Sequence, residues 1–348
     1  MRKIIDLRSD TVTLPTEEML EAIRNARLGD DGFGEDPTVN ELEALAAKKM
    51  GKEAALLVPS GTQGNLVSIL SHTKRGDEVI LEADAHIYHY ELGGLSAIAG
   101  VLPRLVKGEM GVPAPEDIEE AIRPLDPIFP KTTLLCLENT HNLAGGTCMT
   151  PSQTRKLCEV AAKHGLNVHL DGARIFNAAV ALGVDVRELV APVDSVMFCL
   201  SKGLSAPVGS LVVGSSSFID RARRMRKMLG GGMRQAGIIA AAGLVALEKM
   251  VDRLREDHAN ARLLAEGLAK IDGIKIDLRR VQTNIVMFDV SDLGLSGREF
   301  VEMLLNYGVK ALTLRGNVIR MVTHRGIVRE DILETLDAVN EICRKKLI

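Results

Sequence analysis

Short apolar segments alternate with helical patterns through the first two hundred residues of this 348-residue chain. The segments are Ala54–Val58, Glu78–Leu81, Thr133–Leu137, Asn167–Leu170 and Ser195–Leu200. The intervening helical stretches include Gly64–His72, Pro115–Ile122 and Pro151–His164. Such alternation predicts an α/β fold with a mainly parallel sheet covered on both faces. Because no helix separates Leu211–Val213 from the strand before it, we expect this segment to run antiparallel to its neighbours.

The pattern changes after residue 235, where the sequence is nearly all helical up to residue 271. Beyond it the predicted strands are Ile274–Ile276, Asn284–Phe288, Val309–Leu312 and Val318–Val322. Helices are predicted at Ser296–Asn306 and Arg329–Cys343. We therefore predict a large domain over residues 1–255, which includes the N-terminal segment, and a smaller C-terminal α+β domain over residues 256–348.

Composition narrows the class of protein. The chain is 46% hydrophobic and 26% charged, with a net charge of −3. No basic field argues for nucleic acid or an anionic membrane, and no apolar run is long enough to span a bilayer. The five cysteines form no C-x-x-C pair, so we expect reduced thiols, no metal site and a cytoplasmic protein.

The stretch Val58–Asn65 lies between a predicted strand and a predicted helix. Gly61 permits a tight turn, and the amides at the start of the helix form an anion site suited to a phosphate. The alternative is an ordinary strand–helix turn in which Ser60 or Thr62 caps the helix. The sequence of this stretch alone leaves both interpretations open.

Asp171 ends the predicted strand Asn167–Leu170, at the edge of the sheet where ligands of open α/β sheets collect. A carboxylate there can bind a protonated ring nitrogen, although an isolated Asp at this point is more often a helix cap. Arg174 lies close by in the sequence and could bind a carboxylate group through its fork of donors.

Lys202 directly follows an apolar strand, where lysine is rare unless it has a function. A lysine amine can form a Schiff base with an aldehyde, although a lone lysine at a strand end is usually a solvated surface group. A phosphate site at a helix start, an Asp at one strand end and a Lys at the next are the three contacts that pyridoxal 5′-phosphate (PLP) requires. The combination predicts a PLP enzyme.

At these motifs the sequence resembles the fold-type I PLP enzymes, and specifically the L-threonine aldolases. The resemblance covers nearly the whole chain, and nine motifs occur in the family's order. They begin at Asp6, Gly34, Pro59, Leu81, Leu137, His169, Leu200, Gly230 and Arg320, and read DLRSDTVT, GEDPT, PSGT, LEADAH, LENTH, HLDGAR, LSKG, GGGMRQ and RMVTH. The resemblance implies a PLP-transferase fold, with a seven-stranded sheet in the large domain, and a homotetramer built as a dimer of dimers.

The resemblance also implies roles for individual residues. Lys202, His86 and Asp171 would be catalytic, with His86 stacking on the cofactor ring and taking part in proton transfer. The cofactor would be bound by nine residues: Gly61, Thr62, His86, Asp171, Arg174, Ser201, Lys202, Lys227 and Arg234. Of these, Lys227 and Arg234 would bind the phosphate of the cofactor in a neighbouring subunit. The substrate α-carboxylate would be bound by Ser9, Arg174 and Arg320. Without the resemblance, the sequence predicts only that His86 is a surface or partly buried side chain. It likewise predicts only that Lys227 and Arg234 belong to a solvated basic face.

The implied reaction is aldol cleavage of a β-hydroxy-α-amino acid, such as L-threonine or L-allo-threonine, to glycine and an aldehyde. One alternative is another PLP reaction on the same fold, such as β-elimination or transamination. The other is a nicotinamide dehydrogenase, but the G-x-G-x-x-G motif that such an enzyme needs is absent from this sequence. The chain departs from the family at Phe33, where Tyr is frequent, and at Ile128, where His is frequent. Both departures bear on substrate preference rather than on the class of reaction.

Overall fold

The computed structural model describes residues 3–347. Residues 1, 2 and 348, at the outer ends of the two predicted domains, lie outside the described part. The helices are α1 Glu17–Arg24, α2 Pro37–Met50, α3 Gly61–His72, α4 His86–His89, α5 Gly94–Ala97, α6 Pro115–Ala121, α7 Pro151–Lys163, α8 Ile175–Leu182, α9 Val186–Val190, α10 Ser216–Met228, α11 Gly237–Lys249, α12 Leu254–Leu268, α13 Gly297–Asn306 and α14 Arg329–Leu347. The strands are β1 Ile5–Asp6, β2 Ala54–Val58, β3 Glu78–Glu82, β4 Leu102–Val106, β5 Gly108–Glu109, β6 Val112–Pro113, β7 Thr132–Glu138, β8 Asn167–Asp171, β9 Ser195–Cys199, β10 Ser210–Gly214, β11 Ile285–Asp289, β12 Val309–Lys310, β13 Leu312–Thr313 and β14 Val318–Val322.

The largest sheet within residues 3–347 has seven strands in the order β2-β10-β9-β8-β7-β3-β4. The neighbours from β9 to β4 pair in parallel, whereas β10 is antiparallel to both β2 and β9. The mainly parallel seven-stranded sheet is therefore confirmed, and so is the antiparallel strand. The direct β9–β10 connection explains the reversal, because a parallel neighbour would need a crossover helix.

Both faces of this sheet are buried, as the apolar strands predict. On β9, Val196 and Phe198 pack into the cluster that includes α2, α7 and α11, whereas Met197 and Cys199 pack against α3 and α10. Alternate residues of one strand thus serve opposite cores. Helix α7 begins with Pro151 after a capping box formed by Thr150 and Gln153, which fixes its start.

The C-terminal part contains a three-stranded antiparallel sheet in the order β11-β14-β13. Its core includes Leu264, Phe288 and Phe300, and the N-terminal residues Ile5 and Leu7 pack into the same core. Strand β1 pairs in parallel with β12, so the start of the chain is bound to the C-terminal part. The division between residues 255 and 256 stays a prediction.

Two sequence expectations for strands are corrected. The predicted strand Ile274–Ile276 is wrong, because only Lys275 forms a single bridge, to Asp289. Conversely, the sequence pattern did not reveal β4. This strand lies at the edge of the sheet, is partly exposed and contains Pro103, so it lacks the apolar run that marked the central strands.

The carboxyl ends of the parallel strands meet at one edge of the sheet. Val58 of β2, Asp171 of β8 and Cys199 of β9 therefore present the segments that follow them to the same region. No helix among residues 3–347 is both long and apolar enough to cross a membrane.

Candidate active site

Asp171 is buried at the carboxyl end of β8. Its Oδ1 accepts the backbone N–H of Ala173 at 3.0 Å, and its Oδ2 accepts the side-chain amide of Asn65 at 2.8 Å. Helix α8 begins at Ile175, with Arg174 as its N-cap, so Asp171 is not the N-cap of that helix. A buried carboxylate without a cationic hydrogen-bond partner in the described chain is suited to a cationic ring nitrogen.

His86 lies beside Asp171 at the start of α4. Its Nδ1 is 3.0 Å from Oε1 of Glu91, and its backbone N–H donates to Glu138 at 2.6 Å. One ligand atom each of His86, Glu91 and Asp171 lie within 4.8 Å of one another. Burial opposes the charged ring, but the hydrogen bond to Glu91 and the charges of Asp171 and Glu138 prevail and raise the pKa of His86. Burial, together with the charge of Asp171, raises the pKa of Glu91.

The predicted phosphate site is the N-terminus of α3. Ser60 is its N-cap and accepts the N–H of Gln63 at 3.2 Å, so the capping interpretation of Ser60 is also correct. A Cβ on Gly61 would lie 2.9 Å from Sγ of Cys199, so glycine permits the close approach of α3 to the end of β9. Thr62 is exposed in the first turn. The backbone N–H groups around Thr62 carry the partial positive charge found at the N-terminus of a helix, here one of twelve residues.

Arg174 is buried and paired with a residue that sequence reasoning did not single out. Its Nε and Nη2 donate to the two carboxylate oxygens of Asp10 at 2.8 and 2.6 Å. Burial opposes the negative charge of Asp10, but Arg174, Lys202 and Arg320 hold its pKa well below the ordinary range. One carboxylate thus lies within the field of three cations, and Arg174 keeps Nη1 for another acceptor.

Arg320, on β14, is buried close to the N-terminal segment. Its Nη1 donates to the carbonyl of Arg8 at 3.3 Å and its Nη2 to Oδ1 of Asn142 at 3.0 Å. Its Nε is buried and has no hydrogen-bond partner among residues 3–347. Burial, followed by repulsion from Arg174, lowers the pKa of Arg320 to about 10. An anion beside this guanidinium group would satisfy the free donor and offset the repulsion.

Ser9 adjoins Arg8 in the chain, and its hydroxyl accepts the N–H of Thr11 at 3.2 Å. Lys202 and Ser201 follow β9 and are partly buried. Lys202 lines the same small cavity as Arg174 and Cys199. The structure therefore gathers Asp171 with His86, and Lys202 with Arg174, at the predicted edge of the sheet.

Lys227 and Arg234 are exposed on either side of the turn formed by Gly230–Gly232. Arg234 donates to Asp30 at 3.1 Å. A Cβ on Gly231 would overlap the Gln63 side chain, so this turn lies against the first turn of α3. Within residues 3–347, no hydrogen bond or ion pair joins either basic side chain to Lys202 or Asp171. Their predicted role in a neighbouring subunit's site stays a prediction.

Four residues near the site were missed as individual residues by the sequence argument: Asp10, Asn65, Glu91 and Glu138. Asp10, Asn65 and Glu138 lie inside stretches that were singled out. A polar side chain on the buried face of α3 was the available signal for Asn65. Glu91 follows α4 in a short connection, and nothing in its local sequence marks it.

PLP fits the residues present. A helix N-terminus and Ser201 can bind its phosphate, Asp171 its ring nitrogen, and Lys202 its aldehyde carbon. The buried free donor of Arg320 suits the carboxylate of an amino-acid substrate.

The chain also matches known proteins. A family model described as beta-eliminating lyase matches residues 6–293. Low-specificity L-threonine aldolase 1 of Arabidopsis thaliana is 50% identical over 346 residues, covering 97% of this chain and 96% of that protein. Low specificity L-threonine aldolase of Escherichia coli K12 is 45% identical over 335 residues, covering 95% and 97%. The structure of Leishmania major threonine aldolase superposes with a TM-score of 0.84 at 18% identity, covering 97% and 99%, and shows the fold.

The chain belongs to the beta-eliminating lyase family and, within it, to the low-specificity L-threonine aldolases. The predicted family, the fold-type I architecture, the class of lyase and PLP as cofactor are thereby confirmed.

Proposed function

We propose that this protein cleaves L-threonine and L-allo-threonine to glycine and acetaldehyde, with PLP bound to Lys202. The observation that carries the proposal is that Asp171 ends β8 beside the His86–Glu91 pair, while Lys202 follows the neighbouring parallel strand β9 at the same edge of the sheet. PLP, when bound, supplies an aldehyde for amines and a ring that accepts the electron pair of the broken Cα–Cβ bond. Asp171 supports that role by holding a proton on the ring nitrogen.

The substrate carboxylate is assigned to Arg320, Ser9 and Arg174. Arg320 has a buried Nε without a partner, and Arg174 has Nη1 left after its two bonds to Asp10. Two guanidinium groups in a poorly hydrated site would bind a carboxylate strongly and fix the orientation of the Cα substituents.

His86 is assigned as the group that takes the proton of the β-hydroxyl. Its Nδ1 faces Glu91, so in the neutral ring Nδ1 carries the proton and Nε2 keeps the lone pair. Glu91 then stabilises the imidazolium that forms when Nε2 accepts a proton, consistent with the raised pKa of His86. Removal of that proton allows the aldehyde to leave as the Cα–Cβ bond breaks.

We further propose a homotetramer in the cytoplasm, built as a dimer of dimers, in which Lys227 and Arg234 bind the cofactor phosphate of a neighbouring subunit. The exposure of both side chains next to the turn that covers the start of α3 supports this assignment. The division of the chain at residues 255 and 256 is proposed as well.

The test is to incubate the PLP-loaded protein with L-threonine and L-allo-threonine side by side and to measure glycine and acetaldehyde. Lys202→Ala should lose the visible absorbance of the lysine-bound cofactor and nearly all turnover. Release of ammonia or a keto acid in place of acetaldehyde would favour elimination or transamination and would contradict the proposal.

A further inference from the structure

Three groups behind the active site take no part in the proposed chemistry: the buried Asn65, the buried imidazole of His169 and the partly buried imidazole of His72. Asn65 is fully buried on α3, and its Nδ2 lies 2.8 Å from both Oδ2 of Asp171 and Oε1 of Glu91. One side-chain amide therefore joins the carboxylate assigned to the cofactor ring with the carboxylate that orients His86.

This contact fixes the orientation of the amide. Two carboxylate oxygens can only accept, so the NH₂ group of Asn65 must face them and its Oδ1 must face the other way. Oδ1 is 3.1 Å from Nε2 of His169, which must then be the donor. In a neutral imidazole the other nitrogen is an acceptor.

The next contacts continue in the same sense. Nδ1 of His169 is 2.9 Å from Oγ of Ser195, its partner on the neighbouring strand, and it accepts the hydroxyl proton. Oγ of Ser195 is 2.8 Å from Nε2 of His72, which donates to it. Each donor N–H or O–H points towards Asp171 and Glu91.

Burial keeps both imidazoles neutral. It lowers the pKa of His169 to about 4 and, together with repulsion from His169 once that ring is protonated in acid and from Arg221, the pKa of His72 to about 3. His72 also stacks on Phe218, with ring centroids 4.6 Å apart. Neutral rings can take only one of two tautomers, so the sequence of donors and acceptors is defined.

We propose that Asn65 is a positioning residue for the cleavage reaction: it binds Asp171 and Glu91 together, and His169, Ser195 and His72 fix its orientation through one directed chain of hydrogen bonds. The inference rests on the proposed function, because it acts through the roles assigned to Asp171 and His86. A donor shared by the two carboxylates fixes their separation, and the directed chain of hydrogen bonds holds that donor in place.

The first experiment compares Asn65→Leu with Thr335→Val. Thr335 serves as the control, since it is fully buried on α14 and donates to the carbonyl of Asp331 at 2.7 Å, outside the cavity that Lys202 and Arg174 line. A hydrogen bond to a charged group is worth about tenfold to a hundredfold in rate. Asn65→Leu should therefore lower kcat by about that factor, change KM much less, and shift the visible absorbance of the lysine-bound cofactor or its pH midpoint. Thr335→Val also removes a buried side-chain hydrogen bond, but it should leave kcat and absorbance close to those of the wild type.

The second experiment tests the direction of the chain at His169. In His169→Gln an amide nitrogen can replace Nε2 as donor to Asn65, whereas His169→Asn reaches only the Nδ1 position that faces Ser195. We expect His169→Gln to retain more of kcat and of the wild-type spectrum than His169→Asn.

The third measurement is NMR of the holoenzyme with ¹⁵N-labelled histidine, which reports tautomers without any assay of activity. We expect His169 and His72 as neutral rings protonated at Nε2. A His169 ring protonated at Nδ1, equal behaviour of the two His169 variants, or equal kcat and spectra for Asn65→Leu and Thr335→Val would overturn the inference. If the wild type releases no acetaldehyde, the proposed function fails, while the spectra and tautomers still decide whether the chain of hydrogen bonds exists.

Discussion

Asp10 accepts both hydrogen bonds of one bidentate pair from Arg174, across 164 residues of sequence. The pair joins the N-terminal segment to the residue just before α8. Asn284, which precedes β11, donates at 3.2 Å to Oδ2 of Asp10, the oxygen that also accepts Nε of Arg174. Asp10 thus connects Arg174, which we propose binds the substrate carboxylate, to the C-terminal part of the chain.

Asp10→Asn should weaken substrate binding and stability together. The substitution removes the charge that balances Arg174, and breaking a buried ion pair costs about 3 kcal/mol or more. For a chain of 348 residues, a loss of that size corresponds to a fall in thermal midpoint of about 4 °C. We also expect KM for L-threonine to rise by about tenfold or more, because the orientation of Arg174 is lost.

Asp257→Asn is the matched control for that prediction. Asp257 is also fully buried and accepts from both terminal nitrogens of Arg253, at 2.6 and 3.1 Å, but its carboxylate makes no hydrogen bond to Arg174 or Arg320 within residues 3–347. It should lower the thermal midpoint with little change in KM. Equal effects of the two substitutions on KM would show that Asp10 has only a structural role.

The sequence was sufficient to place residues that lie at the ends of strands. Asp171 is the last residue of β8 and Lys202 lies in the segment that follows β9, and the parallel order of these strands brings their ends together. It was insufficient for partners supplied by other elements. Any of several acidic residues could have paired with Arg174, and only the folded chain selects Asp10.

The same limit applies to Glu91 and to the edge of the sheet. Glu91 reaches His86 from a connection with no periodic pattern, so its burial depends on the packing of α4 and α5 rather than on local sequence. Strand β4 was missed because an edge strand needs only one buried neighbour and tolerates Pro103. In Ile274–Ile276 two isoleucines flank Lys275 in a strand-like alternation, yet the segment makes only one bridge.

Asp171→Asn should slow cleavage far more than it weakens substrate binding. The amide keeps a hydrogen-bonding group at the ring position but removes its full negative charge, which is needed most as the ring accepts electrons. We expect kcat to fall by about two to three orders of magnitude, given about 4 kcal/mol for opposite charges about 4 Å apart at an effective dielectric near 20. Steady-state kinetics of the PLP-loaded variant provide the measurement. A turnover number near that of the wild type would show that Asp171 has only a structural role, as in its hydrogen bond to Ala173.

Buried neutral histidines should make the protein sensitive to acid. The folded-state pKa of His169 is about 4, below the ordinary value of 6.5, so the unfolded chain binds a proton that the folded chain excludes. This contribution to stability is complete above the unfolded-state pKa and is lost as the pH falls through the folded-state pKa. His169→Gln should reduce the slope of unfolding free energy against pH between about pH 6.5 and 4 by at most about 1.4 kcal/mol per pH unit.

His258→Gln provides the comparison for acid sensitivity. Burial also lowers the pKa of His258 to about 4, but its partner is Asn177 rather than Asn65. Urea unfolding at several pH values should show a reduced slope in both variants, whereas only the substitution at His169 should alter kcat. An unchanged slope in His169→Gln would mean that His169 carries a proton in the folded protein.

Active sites shared between subunits should permit complementation. If Lys227 and Arg234 act on a neighbour's cofactor, Lys202→Ala and Arg234→Ala subunits carry defects in different halves of a shared site. Hybrids assembled from the two inactive variants should then regain part of the wild-type activity, because some sites contain no substitution. Mixing without subunit exchange is the control, and no recovery despite demonstrated exchange would contradict the shared site.

Ile128 should influence the preference between the two diastereomers of threonine. It lies in the loop between α6 and β7 with 78% of its surface exposed, and its backbone N–H donates to Asp126 at 3.0 Å. A histidine, frequent at this position in the family, could hydrogen-bond the β-hydroxyl, whereas isoleucine has no polar side-chain atom. One such bond is worth about 0.5–1.5 kcal/mol, so its absence shifts the preference by roughly tenfold at most.

We therefore expect the wild type to accept both diastereomers and Ile128→His to alter the ratio of their kcat/KM values. Ile128→Leu is the control for a change of shape without a polar group, and it should leave the ratio unchanged. His86→Ala should damage cleavage of both substrates, because the same imidazole takes the hydroxyl proton of each. An unaltered ratio in a folded, PLP-loaded Ile128→His protein would show that this loop does not reach the hydroxyl. Full activity of His86→Ala would instead remove His86 from the reaction and leave another group to accept the proton.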